Sequence, residues 1–534
     1  MLAAVAIGTI SLHAHADAGT RRAANIPTDE ELELAGAVIG EITFDLQNIF
    51  ATDTPEENKS FYRLANRLHI KTLETTVAQQ LLFRRGEIYS RKKLAESERL
   101  LRSRRYFYHA QIRPIAYHDG RVDVEVQTRD VWSLNPTLNL GRRGGANTFG
   151  IGLEELNLFG YGKFVSASVK SDVDRNTVSL AYQDPQLFGS WWALAAGYGR
   201  SNDGHAKTLA IQQPFYALDT PWSAGARWRD EKRIDPLYSL GVAVERFEVR
   251  QWGGTVFMGW SRGRDGDWIH RVSTGFTYAH DITTKLSGSP ATPPDASRLA
   301  YPWIGLQVLQ DDFQTFQNFD QIGRTEDINL GLQASAQLGV ATKAFGADRD
   351  ALLFVGALAR GVKLDERAIV LVDASLNAQA DPAREHTAQL SASGRYYFRQ
   401  SPKYLLFANL RVDASTNTGL TLGGDNGLRG YPLRYQTGAG RWLFSTEQRV
   451  FTDWFPFRLA RVGGAVFFDV GRTWGKTPFA ATQRGLLADA GFGLRLGNSR
   501  AGFANVIHID LAFPIRPRDG ISRVQFLVES KRSF

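Results

Sequence analysis

The residues that invite a chemical reading are few, and most of them dissolve on inspection. Gly259-Trp260-Ser261-Arg262-Gly263 spells the Gly-x-Ser-x-Gly of a nucleophile elbow. That elbow works only on a strand-to-helix turn with His and Asp partners. Here it ends a strand-like run and enters an Arg-Asp-Gly turn, so no nucleophile is assigned. The histidines show no metal-ligand spacing, and Gly491-Phe492-Gly493 lacks the following helix that a dinucleotide site requires. No catalytic residue, metal or cofactor is expected, and the chain reads as a non-enzyme. Two segments place charge in unusual company instead. Gly423-Gly424-Asp425-Asn426-Gly427-Leu428-Arg429-Gly430-Tyr431 carries a lone arginine through a long Gly-rich loop. The strand-like Gly440 to Phe451 follows, with Glu447 and Arg449. Phe467-Phe468-Asp469-Val470-Gly471-Arg472-Thr473-Trp474 then buries an aspartate in apolar sequence.

The elements around these segments are strands. From Val131 onward, runs such as Phe164 to Ser171, Thr177 to Gln183, Trp191 to Arg200, Trp222 to Arg229 and Val272 to His280 recur between joints rich in Gly, Asp, Asn and Pro. In Thr177-Val178-Ser179-Leu180-Ala181-Tyr182 apolar residues alternate with small or polar ones, the pattern of one face in lipid and the other in an aqueous lumen. The 534 residues include 51 glycines, 12 tryptophans, two methionines and no cysteine. The absence of cysteine excludes disulfides and thiolate metal sites. No window reaches the roughly 18 consecutive apolar residues of a spanning helix, a test that barrel strands escape. A soluble sandwich or propeller is disfavoured by the lack of a repeat period and by Trp191-Trp192, Trp222 and Trp303 near strand ends, as in an aromatic girdle. The reading is an all-β transmembrane antiparallel barrel with roughly 16 to 20 candidate strands, an even number being expected, occupying 131–534, in a bilayer and without nucleic acid. The net charge of +8 is too diffuse to signal a polyanion.

Before the barrel the pattern changes. Residues 1–16 read as a signal peptide with Ala14-His15-Ala16 as its cleavage site, and 17–36 as a linker. Residues 37–130 read as a small α/β domain. Val38 to Leu46 suits a strand, Leu73, Val77, Leu81 and Leu82 mark a helix closed by Gly86, and Ser90 caps a second helix faced by Leu94 and Leu101. Ala110 to Ala116 and Val122 to Thr128 form a hairpin about Asp119-Gly120. Arg84, Arg85, Arg91, Lys92, Lys93, Arg99, Arg102, Arg104 and Arg105 concentrate positive charge there. They form either a solvated helix face or a contact for acidic clients or anionic head groups.

The order strand, helix, helix, strand, strand, with Tyr106-Phe107 ahead of a strand, resembles a POTRA domain. The loop and strand motifs resemble two signatures of the Omp-eighty-five superfamily, which includes the BamA and TamA insertases and two-partner-secretion translocators. Leu428-Arg429-Gly430-Tyr431 matches the tip of its sixth extracellular loop, and Phe467-x-Asp469-x-Gly471 the motif on the strand that follows next but one. Glu155 to Gly162 is similar to its first periplasmic turn, and a last strand stopping on Phe534 resembles its C-terminal insertion signal. The resemblance implies sixteen strands, a Gram-negative outer-membrane location with the POTRA domain in the periplasm, and a monomeric barrel. It implies unfolded client polypeptides or periplasmic accessory proteins as partners. It also implies a seam between about Leu134 to Leu140 and Val524 to Phe534. A loop folded back into the lumen carries its guanidinium out of water, where an unpaired charge costs several kcal/mol. Asp469 is the implied partner, with Glu447 and Arg449 in support. The function expected is insertion or translocation of polypeptides with the loop as a lock. A dedicated two-partner-secretion translocator and a passive pore or lipid-handling barrel are the alternatives.

Overall fold

The computed structural model describes residues 26–286, 296–382, 386–416, 419–475, 485–498, 500–502, 506–515, 517 and 520–531. The expected signal peptide and Phe534 lie outside them.

Val38–Gln47, Phe107–His118 and Arg121–Asp130 form a three-stranded sheet with Arg121–Asp130 in the centre, parallel to the first and antiparallel to the second. The hairpin turns at Asp119 and Gly120, both in the left-handed region as a type I′ turn demands. Val122, Val124 and Val126 are fully buried and meet Leu94 and Leu101 of the helix Arg91–Ser103, whose N-cap Ser90 accepts from the Lys93 amide. The helix expected over Leu73 to Leu82 is shortened to Glu74–Ala78, and a further helix, Ser60–Leu68, precedes it. Thr75, Thr76 and Val77 are poor helix formers, and Leu73 N and Thr76 Oγ1 donate to Gly160 O of a barrel turn (3.1 and 2.8 Å). Tertiary bonds thus interrupt the helical ladder. Within the segment read as a linker, Asp29–Leu34 is a helix with a Thr28–Glu31 capping box, and it buries Leu32.

The remainder closes into one antiparallel barrel of 20 strands, not about 16. Sixteen is the number the resemblance implies, and the chain departs from it; 240–400, where the candidate strands run above that number, holds long strands such as Val242–Asp265 and Trp268–Lys285. Outward positions are apolar and exposed, as in Phe149, Ile151 and Leu153 or Phe492 and Leu494, while inward neighbours such as Ser168 and Ser179 bond each other at 2.8 Å. An apolar exterior around a polar interior is the pattern of a barrel in lipid, and no helix among the described residues is long and apolar enough to cross a membrane. Trp222 lies on the exposed side, but Trp303 points inward and donates from its indole to Thr277 Oγ1 (3.1 Å), so it is no girdle residue. Gly259 to Gly263 lies within the strand Val242–Asp265, with no helix after it.

The ladder is uneven. Most neighbouring strands share seven to eighteen paired positions, such as the eighteen between Trp222–Ser239 and Val242–Asp265. Among the described residues, the last strand, Gln525–Lys531, meets the first, Leu134–Arg143, at the pair Val528 and Arg142.

Candidate functional site

The connection Thr416 to Ala439 leaves the upper rim and descends into the lumen through a short ladder between Leu420–Leu422 and Gln436–Gly438. Leu428 is fully buried with Leu422, Tyr431, Tyr435, Leu443 and Leu487, so the tip is anchored by apolar burial. Tyr431 Oη donates to Ala488 O (3.2 Å), and the Tyr431 and Tyr435 rings lie 5.8 Å apart. Two glycines permit the approach. A Cβ on Gly430 would stand 2.6 Å from Asp489 Cβ, and Gly427 combines a φ of 119° with a would-be Cβ 2.1 Å from Leu443 Cδ2.

At the tip, Arg429 donates from Nε and Nη2 to the two oxygens of Asp469 (2.7 and 2.9 Å) and from Nη1 to Glu447 Oε1 (2.8 Å). Its guanidinium carbon stands 3.5 Å from the Phe467 ring centroid. Bidentate pairing, a second carboxylate and an aromatic floor use the planar fork of arginine in ways lysine does not reproduce. A Cβ on Gly471 would meet Trp442 O at 2.7 Å and Leu422 Cδ2 at 3.2 Å, so this glycine leaves room for the loop stem. The structure therefore brings together Leu428, Arg429, Gly430, Tyr431, Phe467, Asp469, Gly471, Glu447 and Arg449.

Further partners carried no recognisable spacing. Arg495 pairs with Asp510 and lies 3.8 Å from Glu447, and Asp510 Oδ2 is 3.7 Å from Arg429 Nη1. Arg495 and Asp510 stand on neighbouring strands, Leu487–Asn498 and Val506–Pro514, whose register sets Arg495 opposite His508 and Asp510 opposite Gly493. Across the lumen, Arg434 grips Asp174 with two bonds (3.0 and 2.7 Å), approaches Asp425 at 3.3 Å and covers the Tyr238 ring. The Arg434 guanidinium and the Tyr238 hydroxyl hold the Asp174 carboxyl below its ordinary range despite its burial. The loop is thus tied to the wall it leaves and to the opposite rim.

A second insertion rises from the other mouth. The hairpin Phe313–Gln317 and Thr325–Asn329 folds upward, and Phe319, Ile322 and Leu330 pack on Tyr397, Leu405, Phe451 and Ala465 of the wall. Glu326 accepts from the amides of Phe319, Asp320 and Gln321 (2.9, 3.0 and 3.3 Å) and so holds the hairpin tip. Arg449 joins the two insertions: Nε donates to Glu447 Oε2 (3.0 Å) and Nη1 to Phe319 O (2.7 Å). A continuous chain of polar contacts therefore runs from loop tip to hairpin tip. This hairpin was not legible in the sequence, because Phe313 to Asn329 reads as two more strand pieces.

The small N-terminal domain sits under the lower mouth. Asn157 Nδ2 donates to Thr72 Oγ1 (2.8 Å), Gln186 Nε2 to Gln79 O (2.7 Å), and Arg500 reaches Ile49 O (2.8 Å) and Glu57. Much of the basic cluster serves this docking: Arg102 pairs with Asp327 (2.6 Å), Lys92 with Asp267 (3.0 Å) and Arg105 with Glu154 (3.2 Å), while Arg99 lies 3.7 Å from Asp311.

Among solved structures, BamA from Haemophilus ducreyi lacking POTRA domains 1–3 is 13% identical, with 92% of this chain and 84% of that one covered and a TM-score of 0.40. CdiB from Acinetobacter baumannii is 13% identical over 93% and 73% of the two chains, with a TM-score of 0.46. CdiB from Escherichia coli is 12% identical over 93% and 77%, with a TM-score of 0.47. No family model and no curated protein matches the chain.

Proposed function

We propose that this protein is an Omp-eighty-five-like outer-membrane barrel that inserts or translocates polypeptides, and that the loop bearing Arg429 is its conformational lock. The observation that carries the reading is the seating of Arg429 on Asp469 and Glu447 inside the lumen. A surface turn has no use for so costly a burial of charge, whereas a latch does, because breaking the pair from one side costs about 3–5 kcal/mol and so holds the loop seated. Among the described residues the first and last strands are paired at Val528 and Arg142, against seven or more positions between other neighbours, which supports a seam that opens laterally. Backbone groups exposed there toward lipid need partners, since none are available from hydrocarbon. A client strand pairing at that edge would supply them, and client folding would supply the free energy without nucleotide.

The N-terminal domain, read as a POTRA domain facing the periplasm, would receive clients or accessory proteins at the edge of its sheet. A passive pore is the weaker reading: the loop above, the hairpin below and the domain beneath it all occupy the path. The test compares outer-membrane and secreted proteomes of cells lacking the protein, complemented with wild type or Arg429→Ala. Heat-modifiable migration of the variant confirms a folded barrel. Loss of a set of barrels that Arg429→Ala does not restore supports insertion through the latch, and loss of one secreted protein supports translocation. Unchanged proteomes in both fractions would refute polypeptide handling.

A further inference from the structure

The helix Ser60–Leu68 is tied to the foot of the barrel by one face only. Tyr62 stacks on Phe50 (4.5 Å) and donates from its hydroxyl to Phe457 O (2.9 Å), and Ala65, Trp132 and Leu459 pack against the cluster of Ile49, Phe50 and Tyr62. Its second apolar stripe is left uncovered by the described residues. Phe61, Leu64 and Leu68, at i, i+3 and i+7, share one face and are 63%, 51% and 64% exposed. Basic side chains flank that stripe: Lys59, Arg63, Arg67 and Lys71 are all exposed. This division into apolar, buried and basic faces is that of a helix lying in a membrane interface.

Its surroundings continue the same surface. Phe457, on the turn that Tyr62 grips, is 80% exposed at a φ of 53°, and Trp454 beside it is 65% exposed. Phe159 and Phe188, on two other turns of the same rim, are likewise exposed at φ values of 54° and 55°. Left-handed backbone is costly for a bulky residue, and three phenylalanines adopting it at one rim gain by placing their rings where apolar surface is welcome. That rim is where the apolar exterior of the barrel ends, so the patch continues the lipid-facing surface. The helix also lies on the seam side. Arg500, which holds Ile49 and Glu57 beside it, is followed by Ala501, which bridges to Trp132 just before the first barrel strand.

We propose that Ser60–Leu68 is an interfacial helix that docks the N-terminal domain on the phospholipid leaflet beneath the seam. Phe61, Leu64 and Leu68 enter the boundary between head groups and acyl chains, and the four basic residues meet anionic phosphates. The inference rests on the outer-membrane reading above, and the test separates the two. The chain has no cysteine, so single cysteines carry an environment-sensitive fluorophore cleanly. The full-length protein is reconstituted in phosphatidylethanolamine–phosphatidylglycerol vesicles containing lipids spin-labelled at a shallow depth. Leu64→Cys is compared with Leu494→Cys on the barrel exterior and Arg121→Cys on the solvent face of the domain. Labels at 64 and 494 that are both blue-shifted and quenched, with 121 unaffected, are the expected result. A label at 64 that behaves like 121 while 494 is quenched overturns the interfacial helix and leaves the barrel reading intact. A label at 64 that becomes shielded only after periplasmic extract is added also overturns it, in favour of a protein partner. An unquenched label at 494 would refute both readings.

Discussion

Replacing Arg429 by alanine removes three hydrogen bonds to carboxylates, two on Asp469 and one on Glu447. At about 1.5–3 kcal/mol for each bond to a charged group, a plain sum reaches about 4.5–9 kcal/mol. That sum is too high, because Arg429 regains hydration when the loop leaves, and Glu447 keeps Arg449 at 3.0 Å. The better guide is the cost of breaking a buried pair from one side, about 3–5 kcal/mol. It falls mainly on Asp469, which is fully buried and loses its cation. At about 1.4 kcal/mol per factor of ten, the balance between seated and released loop moves by roughly two to three and a half orders of magnitude. Leu428→Cys provides the assay: its side chain is fully buried with the loop seated, so an impermeant maleimide added outside cells labels it only from the released state. Adding Arg429→Ala should raise the labelling rate at least about a hundredfold. Adding Asp469→Ala as well should raise it by less than the two single effects combined, since the orphaned carboxylate is then gone. A labelling rate indifferent to Arg429→Ala would refute the latch.

Gly430→Ala should unseat the loop by about 1–3 kcal/mol, because its Cβ would stand 2.6 Å from Asp489 Cβ; the same labelling assay reads it. Phe319→Ala should loosen the lower hairpin by about 3 kcal/mol, seen as faster tryptic cleavage at Arg324 in the purified barrel. The Glu326 carboxyl is pushed by burial from its ordinary 4.5 up to about 7. A folded-state value above the unfolded one means that the folded hairpin holds the proton more tightly. Its contribution is therefore complete below about pH 4.5 and is lost as pH rises through about 7. Hydrogen-exchange protection of the Phe319, Asp320 and Gln321 amides, corrected for intrinsic rates, should fall across that window and become flat in Glu326→Gln.

The parts legible in the sequence are those whose signal is local. The turn at Asp119-Gly120, the cap at Ser90 and the alternation of Val122, Val124 and Val126 each follow from neighbouring residues, and each stands where expected. The strand Phe164–Ser171 does so as well. That Arg429 needs a carboxylate follows from its charge in a loop folded inward, while Asp469, Glu447 and Arg449 were singled out through the resemblance to the superfamily motifs. Arg495 and Asp510 were not, since the register between two neighbouring strands makes them neighbours, nor was the Arg434–Asp174 clasp, which spans the lumen. The strand number of about 16 followed the resemblance, whereas the candidate strands in the sequence ran from 16 to 20, and the barrel closes with 20. The hairpin Phe313 to Asn329 has the alternation of wall strands while lying inside the wall. The helix Ser60–Leu68 shows a further limit: its exposed stripe looks like core in sequence.

The most direct test of the account closes the seam. Arg142 and Val528 face each other as a paired position of the seam, and in a chain without cysteine the pair Arg142→Cys and Val528→Cys can form a single, reversible disulfide there. The measurement is client assembly in cells, read from the outer-membrane proteome under oxidising and then reducing conditions. Loss of client barrels on oxidation with recovery on reduction is the predicted result. Undiminished assembly with the cross-link complete would contradict insertion through the seam.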